Sequence, residues 1–131
     1  MTNRIKEIFL LTFASVLFFS CGAQETKEME GEKIYESVNL ENFKKHLETE
    51  NIQIIDVRTA NEFSGGSVPN ALNIDFYSKD FEEQINKLDK SKKTLIFCQG
   101  GVRSSKAMKK FKSQGFNHVV ELNCGYGCWT N

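Results

Sequence analysis

The sequence has no excess of either charge. Its 131 residues contain 17 Lys and Arg against 17 Asp and Glu, and a chain near neutrality lacks the basic surface that binds phosphate backbones. Nucleic acid is therefore not an expected partner. Internal repeats and low-complexity tracts are also lacking, and the length suits one soluble globular domain, 40% hydrophobic and 26% charged.

A hydrophobic run long enough to span a membrane is missing as well. The apolar stretch 8–19 has about twelve residues, and a bilayer crossing needs roughly 20. It follows Arg4 and Lys6 and precedes small residues, a pattern typical of a secretion signal. A signal peptide over 1–20 is therefore favoured over the alternative, a permanent transmembrane helix.

The residues after this stretch indicate a lipid anchor. Ser20-Cys21-Gly22 resembles the lipobox of bacterial lipoproteins, although Phe18 stands where that motif usually has Leu, so cleavage by ordinary signal peptidase is the alternative. The resemblance implies that Cys21 is acylated and that the protein is exported and anchored to a membrane of the bacterial cell envelope, facing the periplasm. Residues 21–33 are polar and predict a flexible tether, so the folded domain is expected over 34–131.

Helical and strand patterns alternate from residue 39 onward. Helices are predicted from Asn39 with Leu40, Phe43 and Leu47 inward, from Thr59 with a capping box to Glu62, from Ser78 or Asp80 with Phe81, Ile85 and Leu88 inward, and over 104–114 with Ala107, Met108 and Phe111 inward and Gly115 as the stop. Short apolar strands are predicted at 52–57, 72–74, 94–98 and 118–122. The alternation predicts a single α/β domain with a mostly parallel sheet of four to five strands and helices on both faces.

The segment after the strand 94–98 combines a thiol, a turn and a cation. Ligands bind at the carboxyl ends of parallel strands, where Cys98 is expected to lie. Gly100 and Gly101 would free the backbone so that its N–H groups form a small bowl, and the helix start near Arg103 would add a positive end, which favours a thiolate. Arg103 opposes the dipole preference of a first helical turn, which an anion between it and the loop would explain. A lone cysteine at a strand end is usually an inert core residue, but this combination, with Ser104 on the helix, favours a functional site.

Four motifs resemble the rhodanese family of sulfurtransferases, in the family's order, across residues 34–130. They are "IIDVRTANEF", "GSVPNALNI", "CQGGVRS" and "GFNHVVELNCGYGCW". The resemblance implies that Cys98 carries sulfur, that Arg103 orients an anionic donor, and that the substrate is bound by the loop residues Gln99, Gly100, Gly101, Val102 and Ser104. Four residues separate Cys98 from Arg103, as in the sulfur-handling members, whereas related phosphatases and arsenate reductases have five.

The implied activity is sulfur transfer by nucleophilic catalysis. The thiolate of Cys98 takes the outer sulfur of thiosulfate or of a persulfide, then gives it to a thiol acceptor or to cyanide. We expect no cofactor and a monomer. The sequence departs from the family at Ser67, usually histidine, and at Asn70, usually glycine. The matching charged residues, Asp56, Arg58 and Glu62, are interpreted as a structural cluster.

Two further cysteines leave alternatives open. Cys124 replaces a glycine of the closing motif, and Cys128 follows four residues later. In a thiol-disulfide or persulfide relay, Cys124 or Cys128 would resolve the Cys98 persulfide, with a Cys98 to Cys124 bond as the specific hypothesis. The alternatives are a structural bridge between Cys124 and Cys128, or an inactive fold used only for binding. A metal site using His118 with these two cysteines has weak support, so no metal is expected.

Overall fold

A computed structural model of the chain describes residues 31–130. The strands are β1 (Ile34–Val38), β2 (Ile52–Asp56), β3 (Leu72–Asn73), β4 (Lys93–Phe97) and β5 (His118–Leu122), and the helices are α1 (Leu40–Leu47), α2 (Ala60–Ser64), α3 (Phe81–Asn86), α4 (Val102–Ser113) and α5 (Gly125–Trp129). All strands are parallel, in the order β1-β5-β4-β2-β3. The predicted single α/β domain is confirmed.

The predictions for the signal peptide, Cys21 and most of the tether lie outside the described residues. Within residues 31–130, none of the helices has the length and apolar character that a membrane crossing requires.

Alternate side chains of the strands pack into two separate hydrophobic cores, one on each face of the sheet. One core takes Ile55, Ile96 and Val119 from the strands and is covered by side chains of α3 and α4, namely Phe81, Ile85, Ala107 and Phe111. The other takes Ile54, Leu95, Phe97 and Val120 and is covered from α1 and α5 by Phe43, Leu40, Leu47 and Trp129. The inward residues predicted for α1, α3 and α4 all belong to or pack against these cores.

The local signals for helix ends mostly hold. The Asn39 side chain accepts a hydrogen bond from the Asn42 backbone at the start of α1, and Thr59 and Glu62 form the predicted capping box of α2. Gly115 follows α4 with φ +84°, as a helix stop requires. At α3 the residue before the helix is Asp80, but its side chain does not cap the helix; it accepts instead from Ser78 and Gln84.

Two elements were not predicted. β1 has an irregular pattern of exposure because it is an edge strand with β5 on one side only, and α5 has the sequence "GYGCW", whose two glycines oppose a helix prediction. The remaining differences are at element ends. α4 begins two residues earlier than predicted, and β4 ends at Phe97, which places Cys98 immediately after the strand.

Candidate active site

Cys98 lies at the carboxyl edge of the sheet, at the floor of the turn that leads into α4. The residue is 1% exposed, and among residues 31–130 it is the free cysteine. The Gly101 backbone N–H donates to Cys98 Sγ at 3.1 Å, and the thiol lies 3.4 Å from Ser104 Oγ. The loop therefore holds the sulfur among hydrogen-bond donors, as the sequence predicted for a bowl of N–H groups.

These donors determine the acidity of the thiol. Burial is the largest single influence on Cys98 and acts to raise its pKa, but the hydrogen bonds that the sulfur makes with the Ser104 side chain and with the backbone of Ser104, Gly100 and Gly101 together outweigh it. The pKa of Cys98 is consequently below that of an ordinary thiol. A larger fraction of thiolate at neutral pH makes this sulfur a better nucleophile.

The two loop glycines are not equivalent. Gly101 has φ +98°, and a Cβ on it would lie 2.1 Å from the carbonyl oxygen of Asn123, so both the conformation and the contact require glycine. Gly100 is outside the left-handed region, and a Cβ there would meet nothing within 4 Å. The prediction that both glycines provide forbidden backbone conformations is correct for Gly101 and wrong for Gly100.

Arg103 is held by an anion from this chain. Its guanidinium donates to both carboxylate oxygens of Glu62, with NH1 to Oε2 at 2.7 Å and NH2 to Oε1 at 2.8 Å. The Arg103 hydrogen bond is the main cause that lowers the pKa of Glu62 to about 2, against burial and with help from Thr59. The pairing in turn raises the pKa of Arg103. A cation in the first turn of α4 is thus explained by Glu62, where the sequence suggested an anion held between Arg103 and the loop.

The interpretation of Asp56 and Arg58 as a structural pair agrees with their contacts. Both are buried, at 0% and 2% exposure, and Arg58 Nη2 lies 2.7 Å from Asp56 Oδ2. Arg58 also donates to Gln99 Oε1 at 3.2 Å and stacks 4.1 Å from the ring centroid of Tyr126. The pair therefore supports the end of β2 and, through Gln99, the loop that follows Cys98.

The two departures from the family pattern have local explanations. Ser67 Oγ donates to Asp56 Oδ2 at 2.7 Å, so the serine provides the polar contact to the buried carboxylate. Asn70 has φ +64°, a left-handed conformation that glycine and asparagine adopt most readily. The turn thus keeps a glycine-like backbone at Asn70.

Cys124 is bonded to Cys128, not to Cys98. The two Cα atoms are 5.8 Å apart. The hypothesis of a Cys98 to Cys124 bond is wrong for this structure, because the Cys124 sulfur is already bonded to Cys128, one turn along α5, and Cys98 is free. With the cysteines joined, neither is available as a resolving thiol or a metal ligand, and within residues 31–130 no three potential ligands converge on one point.

The bridged turn instead supports the loop through its backbone. Tyr126 N donates to the Cys98 carbonyl at 2.7 Å, and Gly127 N to the Gln99 carbonyl at 3.0 Å. Gly125 has φ +66°, and a Cβ on it would lie 2.5 Å from the Gln99 carbonyl, so α5 packs directly on the loop backbone.

Sequence reasoning missed one functional candidate, Glu121. This carboxylate is 4% exposed and accepts a hydrogen bond from Ser104 Oγ at 2.7 Å. The sequence did contain an indication of this residue: Glu121 is a single acidic residue in the otherwise apolar strand "HVVEL", and acidic residues are rare in buried strands.

The chain is similar to known proteins that have the same kind of domain. The family model of the rhodanese-like domain matches residues 39–131. Thiosulfate sulfurtransferase GlpE from Shewanella oneidensis is 28% identical over 82 residues, covering 63% of this chain and 79% of that protein. A tRNA uridine(34) hydroxylase from Cytophaga hutchinsonii is 37% identical over 86 residues, covering 63% of this chain and 28% of that protein.

The fold is shared with solved structures. The crystal structure of a rhodanese-like domain protein from Staphylococcus aureus matches with a TM-score of 0.64 and 32% identity, covering 72% of this chain and 90% of the other. The chain spans about a quarter of the hydroxylase and half of YrkF, a putative sulfur carrier protein from Bacillus subtilis. The family match over most of the folded part, together with the cysteine loop at the sheet edge, shows that the chain belongs to the rhodanese-like domain family.

Proposed function

We propose that the protein is a sulfurtransferase that carries sulfane sulfur as a persulfide on Cys98. The observation that carries the proposal is the environment of Cys98 Sγ, which receives the Gly101 N–H at 3.1 Å and has a pKa below that of an ordinary thiol. Such a loop stabilises a negative charge on the inner sulfur before attack and on the sulfur pair after it.

The chemistry needs two displacements at sulfur. The Cys98 thiolate attacks the outer sulfur of thiosulfate, the bond between the two donor sulfurs breaks, and sulfite leaves with the electron pair. With a persulfide donor the leaving group is a thiolate. The acceptor, a thiolate or cyanide, then attacks the outer sulfur of the Cys98 persulfide and takes it as a new persulfide or as thiocyanate, which returns Cys98 as a thiolate.

The named relatives support sulfur chemistry but differ in what they do. GlpE is a thiosulfate sulfurtransferase, whereas the tRNA uridine(34) hydroxylase is named for another reaction and is much longer than the aligned segment. The proposal follows GlpE because the alignment covers most of that protein and because the balanced charge of this chain offers no case for binding RNA.

The mass of the protein after exposure to a donor tests this proposal. Purified Cys21→Ala protein has Cys98 as the cysteine outside the Cys124 to Cys128 bridge. After incubation with thiosulfate or with a small persulfide, we expect a gain of one sulfur atom, mapped to the peptide that contains Cys98. Later addition of cyanide should remove this mass and release thiocyanate.

A matched variant separates catalysis from adventitious sulfur. Cys98→Ser keeps the shape of the side chain but has no ionisable thiol, so it should fold normally, gain no sulfur and release no thiocyanate. Undiminished turnover by Cys98→Ser, or no sulfur on the parent protein with either donor, would reject the assignment and leave a binding role for the fold.

We further propose that the protein is exported and held at a membrane by acylation of Cys21. The charged start, short apolar stretch and Ser20-Cys21-Gly22 motif support this, and so does the Cys124 to Cys128 disulfide, since disulfides persist mainly in oxidising compartments. In the native host the protein should partition with membranes, and Cys21→Ala should abolish this. A Cys21→Ala protein that stays in the membrane with residues 1–20 attached would instead indicate a transmembrane anchor.

A further inference from the structure

The proposed reaction leaves one buried carboxyl without a role. Glu121 is 4% exposed on β5, an interior strand between β1 and β4, and its neighbours on that strand are the fully buried Val120 and Leu122. Burying a carboxylate costs several kcal/mol unless it is well paired. The hydrogen bond that Glu121 accepts comes not from a cation but from the hydroxyl of Ser104, the same hydroxyl that lies beside Cys98 Sγ.

The three groups form one chain of hydrogen bonds. The Cys98 thiol donates to Ser104 Oγ at 3.4 Å, and the Ser104 hydroxyl donates to Glu121 Oε1 at 2.7 Å. Ser104 is fully buried and held in place by the first turn of α4, where its hydroxyl also lies 3.1 Å from the Gly101 carbonyl. The direction of donation runs from the nucleophile to the carboxylate.

The hydroxyl of Ser104 has a single proton to donate. While Glu121 is ionised and receives that proton, Ser104 can only accept from the Cys98 thiol. Once Cys98 is a thiolate, the Gly101 N–H still donates to it, and Ser104 can add its own proton only if that proton is no longer directed to Glu121 or to the Gly101 carbonyl. Two negative charges at the ends of this short buried chain would also repel each other. The chain of hydrogen bonds is therefore complete when one of the two groups, Cys98 or Glu121, carries the negative charge.

We infer that Glu121 is a positioning residue that takes up, through Ser104, the proton released when Cys98 becomes a thiolate. The S–H bond of Cys98 breaks as an O–H bond forms on Ser104, and the original O–H bond of Ser104 breaks as one forms on Glu121. The negative charge moves from the carboxylate to the sulfur, and no electron is gained or lost. The reverse transfer returns the proton to Cys98 after the persulfide sulfur has left.

Other ionisable groups near the pair come from three elements. Arg103 on α4 interacts with the charge of Cys98 but is bound by Glu62 of α2, and both keep their charge across the neutral range. Tyr35 on β1 packs against the core on the same face of the sheet, and its hydroxyl donates to the Phe116 carbonyl at 2.8 Å. Cys124, which follows β5, does not titrate as a disulfide. Cys98 and Glu121 are thus the groups expected to exchange a proton.

The test is the pH dependence of alkylation of Cys98 by iodoacetamide, measured on Cys21→Ala protein. Glu121 would be the proton acceptor of sulfur transfer, so the inference rests on the proposed function. Alkylation requires no sulfur donor, however, and it measures the thiolate of Cys98 directly. If Cys98 and Glu121 share one proton, the rate of alkylation of the wild-type loop should rise with pH in two steps. After the first step the rate should reach a lower plateau, in which one proton is shared, and after the second step both groups are ionised.

Two variants should move the profile in opposite directions. Glu121→Gln keeps the size of the side chain and removes its charge, so the profile should have one inflection, lying about one pH unit or more below the upper inflection of the wild-type loop. Ser104→Ala keeps the carboxylate but removes the connecting hydroxyl, so the lower plateau should disappear and the remaining inflection should move upward. Glu36→Gln is the control, since Glu36 lies on the neighbouring strand β1 and its carboxylate is bonded to His118.

A single inflection in the wild-type loop, or a profile unchanged by Glu121→Gln, would overturn the inference whether or not sulfur transfer is observed. If Glu121→Gln does not fold, as judged by its thermal transition, the profiles of the wild-type loop and Ser104→Ala decide alone. Two inflections that Ser104→Ala removes support the shared proton, and two that survive it refute transfer through Ser104.

Discussion

At the scale of single residues, Glu62 joins two parts of the site that are 41 residues apart in the chain. The same carboxylate closes the capping box of α2 with Thr59 and binds the Arg103 guanidinium with both oxygens. The pair is partly shielded from water, with side-chain exposures of 15% for Arg103 and 31% for Glu62. Arg103 is therefore oriented by α2 before any substrate arrives, and a donor anion would meet a cation that is already partly neutralised.

The pairing predicts a stability difference that depends on pH. Glu62→Gln retains a side chain that can complete a capping box but loses the ion pair, so at pH 7 it should lower the free energy of unfolding by about 1 to 2 kcal/mol. The pKa of Glu62 is about 2 in the fold against an ordinary 4.5. Because the folded value is the lower one, the contribution is complete above pH 4.5 and is lost as the pH falls towards 2.

Urea unfolding of the parent and of Glu62→Gln at a series of pH values checks this prediction. The two midpoints should differ at pH 7 and converge below pH 4.5. Thr59→Ala is the useful control, since it weakens the same cap without removing the ion pair, and its effect should change less with pH. A difference for Glu62→Gln that is constant over this range would show that the ion pair contributes nothing.

At the scale of elements, the loop between Cys98 and α4 is confined between two neighbouring segments of backbone. Gly101 faces the Asn123 carbonyl just beyond β5, and Gly125 at the start of α5 faces the carbonyls of Cys98 and Gln99. Backbone contact this close leaves no space for a Cβ, so the loop keeps its shape through packing as well as hydrogen bonds. The direction of the Gly101 N–H towards Cys98 Sγ depends on this confinement.

Adjacent glycines in the loop provide a matched pair of substitutions. Gly101→Ala should lower the free energy of unfolding by about 3 kcal/mol or more, because it combines an unfavourable positive φ with a backbone clash. Gly100→Ala introduces a methyl group into open space and should change stability by less than about 1 kcal/mol in either direction. Denaturant unfolding of both variants measures the contrast, and equal losses would mean that the loop relaxes around Gly101.

The elements that could be predicted from the sequence are those with a strong local signal. The cap at Asn39, the capping box at Thr59 and the apolar runs of β2, β4 and β5 depend on neighbouring residues alone, and they located Cys98 at a sheet edge. β1 and α5 depend on distant contacts: β1 is in the sheet through its pairing with β5, and the backbone of α5 bonds to the loop of Cys98. For the same reason the partners of Arg103 and Ser104, which are Glu62 and Glu121, could not be read from spacing.

At the scale of the whole molecule, the parallel sheet brings the ends of β2, β4 and β5 to one edge. Asp56 ends β2, Cys98 directly follows β4, and Glu121 lies near the end of β5. The Cys98 loop, the buried pair of Asp56 and Arg58, and the buried Glu121 carboxylate therefore lie at the same edge of the sheet. The two outer strands limit further association. β3 is two residues long, and β1 has Glu36, bonded to His118 of β5. Short or charged edge strands resist pairing with another chain.

This arrangement predicts that the protein is a monomer in solution. Between residues 31 and 130 the exposed large hydrophobic side chains are Ile34, Leu72, Tyr77 and Val102. They lie on different elements, namely β1, β3, the segment before α3 and the start of α4. Sedimentation velocity of Cys21→Ala protein should therefore give one species with the mass of one chain across a wide range of concentration. The strongest challenge is the groove of about 650 Å³ beside β2 and β3, which includes Ile52, Val68, Leu72 and Trp129. A concentration-dependent dimer that Leu72→Glu dissociates, while Tyr77→Glu does not, would contradict the prediction and identify this groove as the interface.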